Sequence, residues 1–428
     1  MKRGRTWRNR KRNIRDKVDE CTPLNLFAQN YTRLKQWMKI KSNGLLEACY
    51  LEPRDFPNTG RGLKATRTIN PGDVIVSLPE TLLITPVTAL ESAVGDVIKR
   101  CRPRLTPQAA LSLFLVYENH LGSRSDWFAY IQSVPAVFST PLYWTPQELG
   151  HLPPAVRESA GHMIDRHRDV YDEIVAVLKS LPHCHTGWFS YDSFQWAWTV
   201  VNTRSVYLET KQVPLLQFTP SGETNLALAP FLDLLNHSDS AQMEAGHNAK
   251  TRCYEIKTFN KFKKHDQVFI SYGYHDNQKL FLEYGFTIPG NTHNVHQFSW
   301  TELCNLKRVF KISHWQKKQS VIFDNRLNQD LTCSTSGLSW NLHNVLMILA
   351  MSWDELESWK RWYSNGTISD ENERCVRQMA AWLMNEAIVD YKHMKVPCSE
   401  TNPHDRLVSS LLQGQLDILH KTWTTLQV

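Results

Sequence analysis

The sequence contains no long hydrophobic run and no closely spaced pair of cysteines. None of its apolar stretches approaches the roughly 18 residues that a membrane-spanning helix needs, so we expect no membrane insertion. Its nine cysteines are scattered from Cys21 to Cys398 without a CxxC motif. That spacing argues against a disulfide framework and against a cysteine-based zinc site. We therefore expect an intracellular protein without a bound metal.

Acidic residues are missing from the first 15 positions, where the sequence is strongly basic. Nine of the first 17 residues are Lys or Arg, whereas the formal net charge of the whole chain is only +7. Such a start does not resemble a secretory signal. We interpret residues 1–20 as a disordered basic arm, which is a solvated tail, a nuclear import signal or a nucleic-acid contact. Because the rest of the chain is close to neutral, a nucleic-acid contact is expected only through this arm.

The hydrophobic pattern divides the chain into regions of different secondary structure. The chain is longer than one typical core, so two or three lobes are expected. The amphipathic spacing of Leu24–Lys41 predicts an N-terminal helical segment over residues 21–44. Helical patterns also fill residues 86–201 and most of the chain beyond Phe286, while strand signals such as Val74–Leu78 lie between them. These patterns together predict both helices and sheets in one chain.

Individual helices can be placed by their periodicity and end signals. Thr106 followed by Pro107 is typical of an N-cap and a first helical position. A polar loop is predicted over Asn325–Gly337. The predicted helices are Ala109–Tyr117, Val156–Leu178, Phe189–Val201, Asn341–Met351, Glu371–Tyr391 and Leu407–Trp423.

The stretch Ala229–Ser238, APFLDLLNHS, places polar side chains inside and directly after an apolar run. Burying an amide or imidazole without a partner costs roughly 1 to 3 kcal/mol. The sequence must therefore supply partners or a ligand for Asp233, Asn236 and His237. A turn is expected at Asn236 and His237, after an apolar strand.

Two further motifs combine a short extended segment with glycine. In Val268–Gly273, VFISYG, alternation places Val268, Ile270 and Tyr272 on one face of a strand that Gly273 ends. In Gly60–Leu63, GRGL, glycines allow a tight turn or a close approach of the backbone to a ligand. Each motif alone is weak, because glycines serve turns generally and Tyr272 alone could be a strand-end aromatic.

Together with LEYGF at Leu282–Phe286, these motifs resemble the SET-domain methyltransferases, and more closely the branch that contains the Rubisco large-subunit methyltransferase. The resemblance covers the chain from about Leu45 to the C-terminus. It implies an α+β fold in which the short sheets of a SET domain, residues 45–290, are split by a helical insertion at about 86–201. An all-helical C-terminal substrate-binding domain, residues 291–428, follows.

The resemblance also implies an activity. Members of the family transfer a methyl group from S-adenosylmethionine to a lysine ε-amine of a protein, so a protein substrate with a target lysine is the expected partner, with histone tails among the candidates. The expected location is the nucleus and cytoplasm. A protein-histidine methyltransferase is an alternative, because one member of the branch modifies actin in that way. A scaffold that keeps the SET fold without turnover is another.

The resemblance assigns roles to ten positions. Tyr272 is implied as the catalytic tyrosine, and Arg204 as the residue that binds the carboxylate of the cofactor's methionine moiety. The alternative for Arg204 is a favourable charge at a helix C-terminus, and His237 alone would more often be a core histidine than a ligand. Thr59 stands where relatives often have Glu, so no role is assigned to it. The implied cofactor-binding residues are Gly60, Arg61, Gly62, Arg204, Asp233, Asn236, His237, Tyr284 and Phe286.

Overall fold

The structure is a computed structural model that describes residues 23–42, 50–181, 186–209, 213–217, 225–360, 368–394 and 402–426. The predicted basic arm over residues 1–20 lies outside these described residues. Among the helices in these ranges, none is both long and apolar enough to cross a membrane.

The chain divides into two compact units by its internal contacts. The first unit comprises residues 1–138 and 163–272, and the second comprises residues 139–162 and 273–428. The boundary between the two units falls after Tyr272. The end of the SET domain that the sequence predicts lies later, at residue 290, and that limit stays a prediction.

The strands of the described chain are short. They are β1 (Leu51–Phe56), β2 (Gly60–Ala65), β3 (Val74–Pro79), β4 (Ser205–Tyr207), β5 (Leu226–Leu228), β6 (Asn236–His237), β7 (Met243–Asn248), β8 (Cys253–Thr258), β9 (Gln267–Ile270), β10 (His296–Gln297), β11 (Thr332–Ser334) and β12 (Gly337–Leu338). They form sheets of the orders β1-β2-β9-β6, β3-β8-β7, β4-β5 and β10-β11-β12.

Helices account for most of the remaining regular structure. They are α1 (Pro23–Lys41), α2 (Pro86–Glu91), α3 (Gly95–Arg100), α4 (Pro107–Leu121), α5 (Phe128–Ile131), α6 (Pro146–Gly150), α7 (Pro154–Ser180), α8 (Tyr191–Arg204), α9 (Asn277–Lys279), α10 (Trp300–Cys304), α11 (Leu306–Val309), α12 (Trp315–Asp324), α13 (Trp340–Ala350), α14 (Trp353–Glu357), α15 (Asp370–His393) and α16 (Pro403–Leu426).

The predicted helical insertion is confirmed, since α2 to α8 follow one another between β3 and β4. Thr106 caps α4 by accepting a hydrogen bond from the backbone N–H of Ala109. At the other end, Gly122 has a φ of 56°, a left-handed conformation in which glycine carries little strain. α4 packs against α8, whose last residue is Arg204. The helical insertion therefore places Arg204 directly before the first residue of β4.

The stretch Ala229–Ser238 differs from its predicted conformation. The apolar residues Leu232–Leu234 form one turn of 3₁₀ helix, and Phe231 before them has a φ of 73°, so the predicted apolar strand is wrong. Asn236 and His237 do not begin a turn but form the two-residue strand β6, parallel to β9. The positive φ of Phe231 redirects the chain, and a new extended segment can begin after Leu235.

The second motif is confirmed as a strand but ends earlier than predicted. β9 ends at Ile270, with Val268 and Ile270 buried. Tyr272 therefore lies two residues beyond the ladder rather than on it. Gly273 has a φ of 130°, and a Cβ there would lie 2.8 Å from the His275 ring, so the backbone turns where only glycine fits.

The C-terminal region is helical, as predicted, with one addition. α13, α15 and α16 cover the three predicted helices and bury a shared core that includes Leu346, Leu383 and Leu419. The predicted loop Asn325–Gly337 instead contains β11, which pairs with both β10 and β12. The expectation of an all-helical C-terminal region was therefore wrong in this detail. Strands of two or three residues are too short to show the alternation of apolar and polar residues that would have predicted them.

A buried histidine makes the first unit sensitive to acid. The His167 side chain is fully buried, and its ring stacks on Phe194 at 5.0 Å and meets Tyr191 and Trp198 edge-on. Burial, with a smaller contribution from Arg168, lowers the pKa of His167 from its ordinary 6.5 to about 4. Between these values the unfolded chain binds a proton that the folded chain does not, so stability is lost as the pH falls through this window.

As the pH falls from 6.5 to 4, we expect the free energy of unfolding to decrease by roughly 3 kcal/mol because of His167. Urea unfolding at several pH values measures it. The matched variant His167→Phe keeps an aromatic ring but cannot bind a proton, so its stability should fall less over the same pH range. Equal slopes for the two proteins would contradict the prediction.

Candidate active site

The sheet β1-β2-β9-β6 brings three of the sequence motifs together. β2 pairs with β9 with Leu63 opposite Val268. On the other side of β9, Asn236 lies opposite Phe269 and His237 opposite Ile270. The glycine turn, the NHS motif and the strand before Tyr272 are thus neighbours in one sheet of the first unit.

Asn236 fastens the glycine turn to this sheet. Its Nδ2 donates to the backbone carbonyls of Thr59, at 3.3 Å, and Arg61, at 3.0 Å. A Cβ on Gly62 would lie 2.7 Å from Gln267 Nε2 and 2.8 Å from Asn236 Nδ2. Gly62 is therefore required where β2 passes under these two amides. The direct contact of Gly62 with the cofactor, which the sequence implies, stays a prediction.

Replacing Gly62 by alanine should displace Asn236 and Gln267. We expect a loss of about 1 to 3 kcal/mol in the free energy of unfolding, as for other overpacked sites, together with weaker S-adenosylmethionine binding. Thermal unfolding and calorimetric titration measure the two effects. Gly246→Ala is the matched control, because that strand glycine has nothing within 4 Å of a built Cβ. Equal effects of the two substitutions would contradict the prediction.

His237 and Tyr272 form a stacked pair. Their ring centroids are 5.1 Å apart at an interplanar angle of 24°. The backbone N–H of Tyr272 donates to His237 Nδ1 at 3.0 Å, which places the proton of a neutral imidazole on Nε2. The Tyr272 hydroxyl donates to the backbone carbonyl of Leu235 at 2.7 Å. The phenol is thereby fixed at both its ring and its oxygen.

Arg204 and Asp233 form a largely buried ion pair. Arg204 Nη1 donates to Asp233 Oδ2 at 3.1 Å and to its backbone carbonyl at 2.9 Å. The hydroxyl of Tyr130 donates to the same Oδ2 at 3.0 Å. The Asp233 side chain is 2% exposed, and burial raises the pKa of its carboxyl although Arg204 and Tyr130 oppose that shift. The Asp233 carboxylate thus orients Arg204 from inside the protein.

Two guanidinium groups, those of Arg61 and Arg204, interact at this site, and Asp55 and Asp233 provide the opposing negative charges. Arg61 is half-buried beside this pair, and burial together with repulsion from Arg204 lowers its pKa. Asp233 attracts both guanidinium groups. In addition, Arg204 Nε is buried and has no hydrogen-bond partner among the described residues. An unmatched buried N–H donor on a guanidinium group fits the carboxylate of S-adenosylmethionine, which Arg204 would hold.

Tyr284 and Phe286 belong to the second unit. Their rings lie 6.2 Å apart, and the Tyr284 ring stacks on His275 at the same distance. Burial raises the pKa of Tyr284 to about 12, so its hydroxyl stays protonated in mildly alkaline solution as well as at neutral pH. Since these residues lie outside the unit that carries Tyr272, their contribution to the site stays a prediction.

Two site residues were not found by sequence reasoning. Tyr130 is fully buried and contacts Asp233 from 103 positions away in the chain, with no local pattern to indicate it. Gln267 accepts from the Thr59 hydroxyl at 2.9 Å and covers Gly62. A signal for Gln267 was available, since it begins the strand that leads to Tyr272. In the part of the chain that the structure describes, no His, Cys, Asp and Glu residues cluster as metal ligands would.

The fold and this arrangement define an S-adenosylmethionine-dependent protein methyltransferase of the SET type. The sequence model of the SET domain matches residues 60–273, and the chain belongs to the SET-domain family. It is similar to SET domain-containing protein 4 of Mus musculus, with 35% identity over 97% of this chain and 92% of that protein. The similarity to SET domain-containing protein 4 of Homo sapiens is 33% identity over 99% and 97% of the two chains. S-adenosylmethionine is the cofactor of this family and of this chain.

A solved structure confirms the fold. The SET domain of LSMT, in a crystal structure with lysine and AdoHcy bound, superposes with a TM-score of 0.65 at 20% identity, over 94% of this chain and 91% of that one. The predicted α+β architecture is thereby confirmed.

More distant relatives differ in the residue they modify. A ribosomal lysine N-methyltransferase of Schizosaccharomyces pombe is 29% identical over 73% of each chain. The actin-histidine N-methyltransferase of Danio rerio is 26% identical over 57% of this chain and 40% of that protein. Family membership therefore leaves open whether the acceptor is lysine or histidine.

Proposed function

We propose that the chain methylates the ε-amine of a lysine in a protein substrate. The observation that carries the proposal is the placement of Tyr272, whose hydroxyl proton is directed at the Leu235 carbonyl. Its oxygen lone pairs then point away from that carbonyl and can accept an N–H from an amine. Support comes from the lysine-modifying relative and from the LSMT structure that contains lysine.

When bound, S-adenosylmethionine supplies a methyl group on a positively charged sulfur. The protein then has to align the amine with that methyl and keep it uncharged, because a free lysine has a pKa of about 10.4. The Tyr272 hydroxyl is held in place because its ring stacks on His237 and its O–H donates to the Leu235 carbonyl. A lysine amine that donates an N–H to this oxygen would therefore be oriented in one way relative to the methyl group. Arg204 would hold the cofactor carboxylate, and Asn236 holds the glycine turn. Neither residue would touch the reacting atoms.

Histone tails and non-histone proteins are both proposed substrates, with action in the nucleus and cytoplasm. The support is the basic segment at residues 1–20, which is compatible with nuclear import or with a contact to nucleic acid. Contact between the chain and nucleic acid is proposed only for this segment.

The test is transfer of labelled methyl from S-adenosylmethionine to histone octamers and to a cytosolic protein extract, with the modified residue located by mass spectrometry. Label on lysine is expected. Label on histone lysine would support the nuclear role, and label on cytosolic protein alone would remove histones as substrates. Cofactor binding without any label would favour a scaffold.

The similarity to actin-histidine N-methyltransferases favours histidine as the second candidate acceptor. The two acceptors differ in pH dependence. Since imidazole has a pKa of about 6.5, transfer to histidine should level off above neutral pH, whereas transfer to lysine should keep rising toward pH 10. A rate that levels off near pH 7, with the label on histidine, would overturn the lysine assignment.

A further inference from the structure

Two segments of the first unit are held side by side at one end of the sheet β1-β2-β9-β6. One segment follows β2, and the other precedes β9. Ile69 and Phe262 form an antiparallel bridge between them, and both side chains are buried. Backbone hydrogen bonds also join Ala65 to His265 at 2.7 Å and to Asp266 at 2.9 Å. The backbone of this pair of segments is therefore fixed from both ends.

The exposed positions of these two segments carry several cations. The turn over residues 263–266 is closed by two hydrogen bonds, since the Lys263 N–H donates to Asp266 Oδ2 at 2.7 Å and the Asp266 N–H donates to the Lys263 carbonyl at 3.1 Å. The guanidinium carbon of Arg67 lies 3.6 Å from the centroid of the Tyr50 ring. Little ordering of these groups is needed before a partner binds. We call the four exposed cations of the two segments the basic surface: Arg67, Lys261, Lys263 and Lys264.

The charges of the basic surface are not matched by the chain itself. None of its four cations forms an ion pair with any described residue. Over residues 65–73 and 259–266, the acidic residues are Asp73 and Asp266. Each of these carboxylates accepts a backbone N–H, from Asn70 at 3.0 Å and from Lys263 at 2.7 Å. The basic surface can therefore take up carboxylates from a partner.

The chemistry of the basic surface favours carboxylates over nucleobases. Arg67 carries a planar fork of N–H donors, which matches a carboxylate. Proteins that bind single-stranded nucleic acid combine cations with open aromatic faces on which bases stack. Here the aromatic rings already contact cations, because Tyr50 carries Arg67 and the Phe259 ring centroid lies 5.2 Å from Lys257 Nζ. An acidic polypeptide fits this surface better than nucleic acid does.

Strands β2 and β9 connect the basic surface to the candidate active site. They are antiparallel, with Lys64 opposite Gln267. The basic surface begins next to Ala65, where β2 ends, whereas the glycine turn lies at Gly60, where β2 begins. At about 3.3 Å per residue, the length of β2 separates the two by about 16 Å. An extended polypeptide covers that distance with about five residues.

We propose that the basic surface docks a segment of the protein substrate that is rich in Asp and Glu and lies about five or more residues from the methylated residue. Because the cations are exposed, each ion pair adds little affinity alone, and binding depends on several pairs and on low salt. The proposal rests on the proposed function in taking the substrate to be a polypeptide. It holds for a lysine and for a histidine acceptor.

The test measures binding of two labelled peptides to the full chain by fluorescence anisotropy. Both peptides have a central lysine flanked by Gly and Ser. In the Glu peptide, glutamates fill the positions from about five residues outward on both sides, and in the Gln peptide glutamines replace them. The Glu peptide should bind more tightly, and this advantage should largely disappear between about 0.05 M and 0.5 M salt. Lys263→Glu combined with Lys264→Glu should weaken its binding about tenfold.

Lys39→Glu combined with Lys250→Glu is the matched control, because it makes the same change of charge at two exposed lysines of the same unit. The basic segment at residues 1–20 is present in both double variants, so its attraction for the Glu peptide affects both alike. The control should keep most of the affinity of the unmodified chain. Equal losses in the two double variants, or equal binding of the Glu and Gln peptides, would overturn the proposal.

Methyl transfer separates substrate docking from other binding. With labelled S-adenosylmethionine and heat-treated cytosolic extract, the Glu peptide should inhibit labelling by the unmodified chain more than the Gln peptide does. The variant with Lys263→Glu and Lys264→Glu should label the extract more slowly at low extract concentration and approach the normal rate at high concentration, as a raised KM requires. Its affinity for S-adenosylmethionine should be unchanged.

Two further outcomes would overturn the proposal. Selective binding of the Glu peptide without inhibition would show that the acidic partner is not the substrate. Tighter binding of a single-stranded oligonucleotide of equal charge, lost in the variant with Lys263→Glu and Lys264→Glu, would make nucleic acid the occupant. Absence of label on any protein would instead count against the proposed function, because peptide binding does not require transfer.

Discussion

Replacing Tyr272 by phenylalanine should lower the rate of methyl transfer by about 10²- to 10³-fold, the usual effect of removing one oriented polar group from a reacting centre. The variant keeps the ring that stacks on His237 and loses only the hydroxyl that donates to Leu235 O. An amine then has no phenolic oxygen to orient it. Stability should fall by only about 1 kcal/mol, the net value of one hydrogen bond.

Two measurements separate a catalytic from a structural effect at Tyr272. Calorimetric titration with S-adenosylmethionine should give an unchanged affinity, and single-turnover assays should show the loss in the transfer step. Tyr254→Phe is the control, because Tyr254 is another tyrosine of the first unit and lies on β8, although it is buried and Tyr272 is half-buried. Near-normal turnover by Tyr272→Phe would remove Tyr272 from the reacting centre and leave it as a packing residue.

The helices of this protein were predictable because their signals are local. Each signal involves residues within one or two helical turns of one another. Examples are the N-cap threonine before Pro107, the glycine that ends α4 and the apolar residues at helical spacing. The predicted N-terminal helix likewise agrees with α1, Pro23–Lys41. These features depend on chain neighbours, so the sequence alone contains them.

The site was harder to predict, since its parts depend on distant contacts. A two-residue strand such as β6 has no periodicity, and its parallel pairing with β9 cannot be read from Asn236 and His237 alone. The left-handed backbone of Phe231 is unfavourable for a bulky residue and exists because tertiary contacts impose it. Its ring lies 6.0 Å from that of Tyr31 on α1. The family resemblance located the site residues, but their partners had to come from the structure.

The second large effect is expected at the ion pair of Arg204 and Asp233. Asp233→Ala should lower the free energy of unfolding by about 3 to 5 kcal/mol, because it leaves the Arg204 guanidinium without its buried counterion. The Arg204 side chain is only 16% exposed, so water can replace little of the lost interaction. Urea unfolding at neutral pH measures this loss.

Asp126→Ala is the matched control for this prediction. The pair of Lys41 and Asp126 has a similar separation, 3.0 Å against 3.1 Å, but its side chains are 41% and 81% exposed. Exposed pairs contribute about 0 to 1 kcal/mol, so this control should change stability little. Similar losses for Asp126→Ala and Asp233→Ala would contradict the view that burial makes the second pair important.

A variant with both Asp233→Ala and Arg204→Ala separates two contributions to stability. One is the interaction energy of the ion pair, and the other is the cost of leaving one buried charge without its partner. If the guanidinium left by Asp233→Ala is the main cost, adding Arg204→Ala should restore part of the lost stability, giving a coupling energy of about 0.5 to 3 kcal/mol. The double variant should nevertheless bind S-adenosylmethionine weakly, because the buried donor that fits its carboxylate is gone. Recovered stability with weak binding would show that Asp233 keeps Arg204 in place and that Arg204 holds the cofactor. Normal binding by the double variant would take both residues out of the cofactor site.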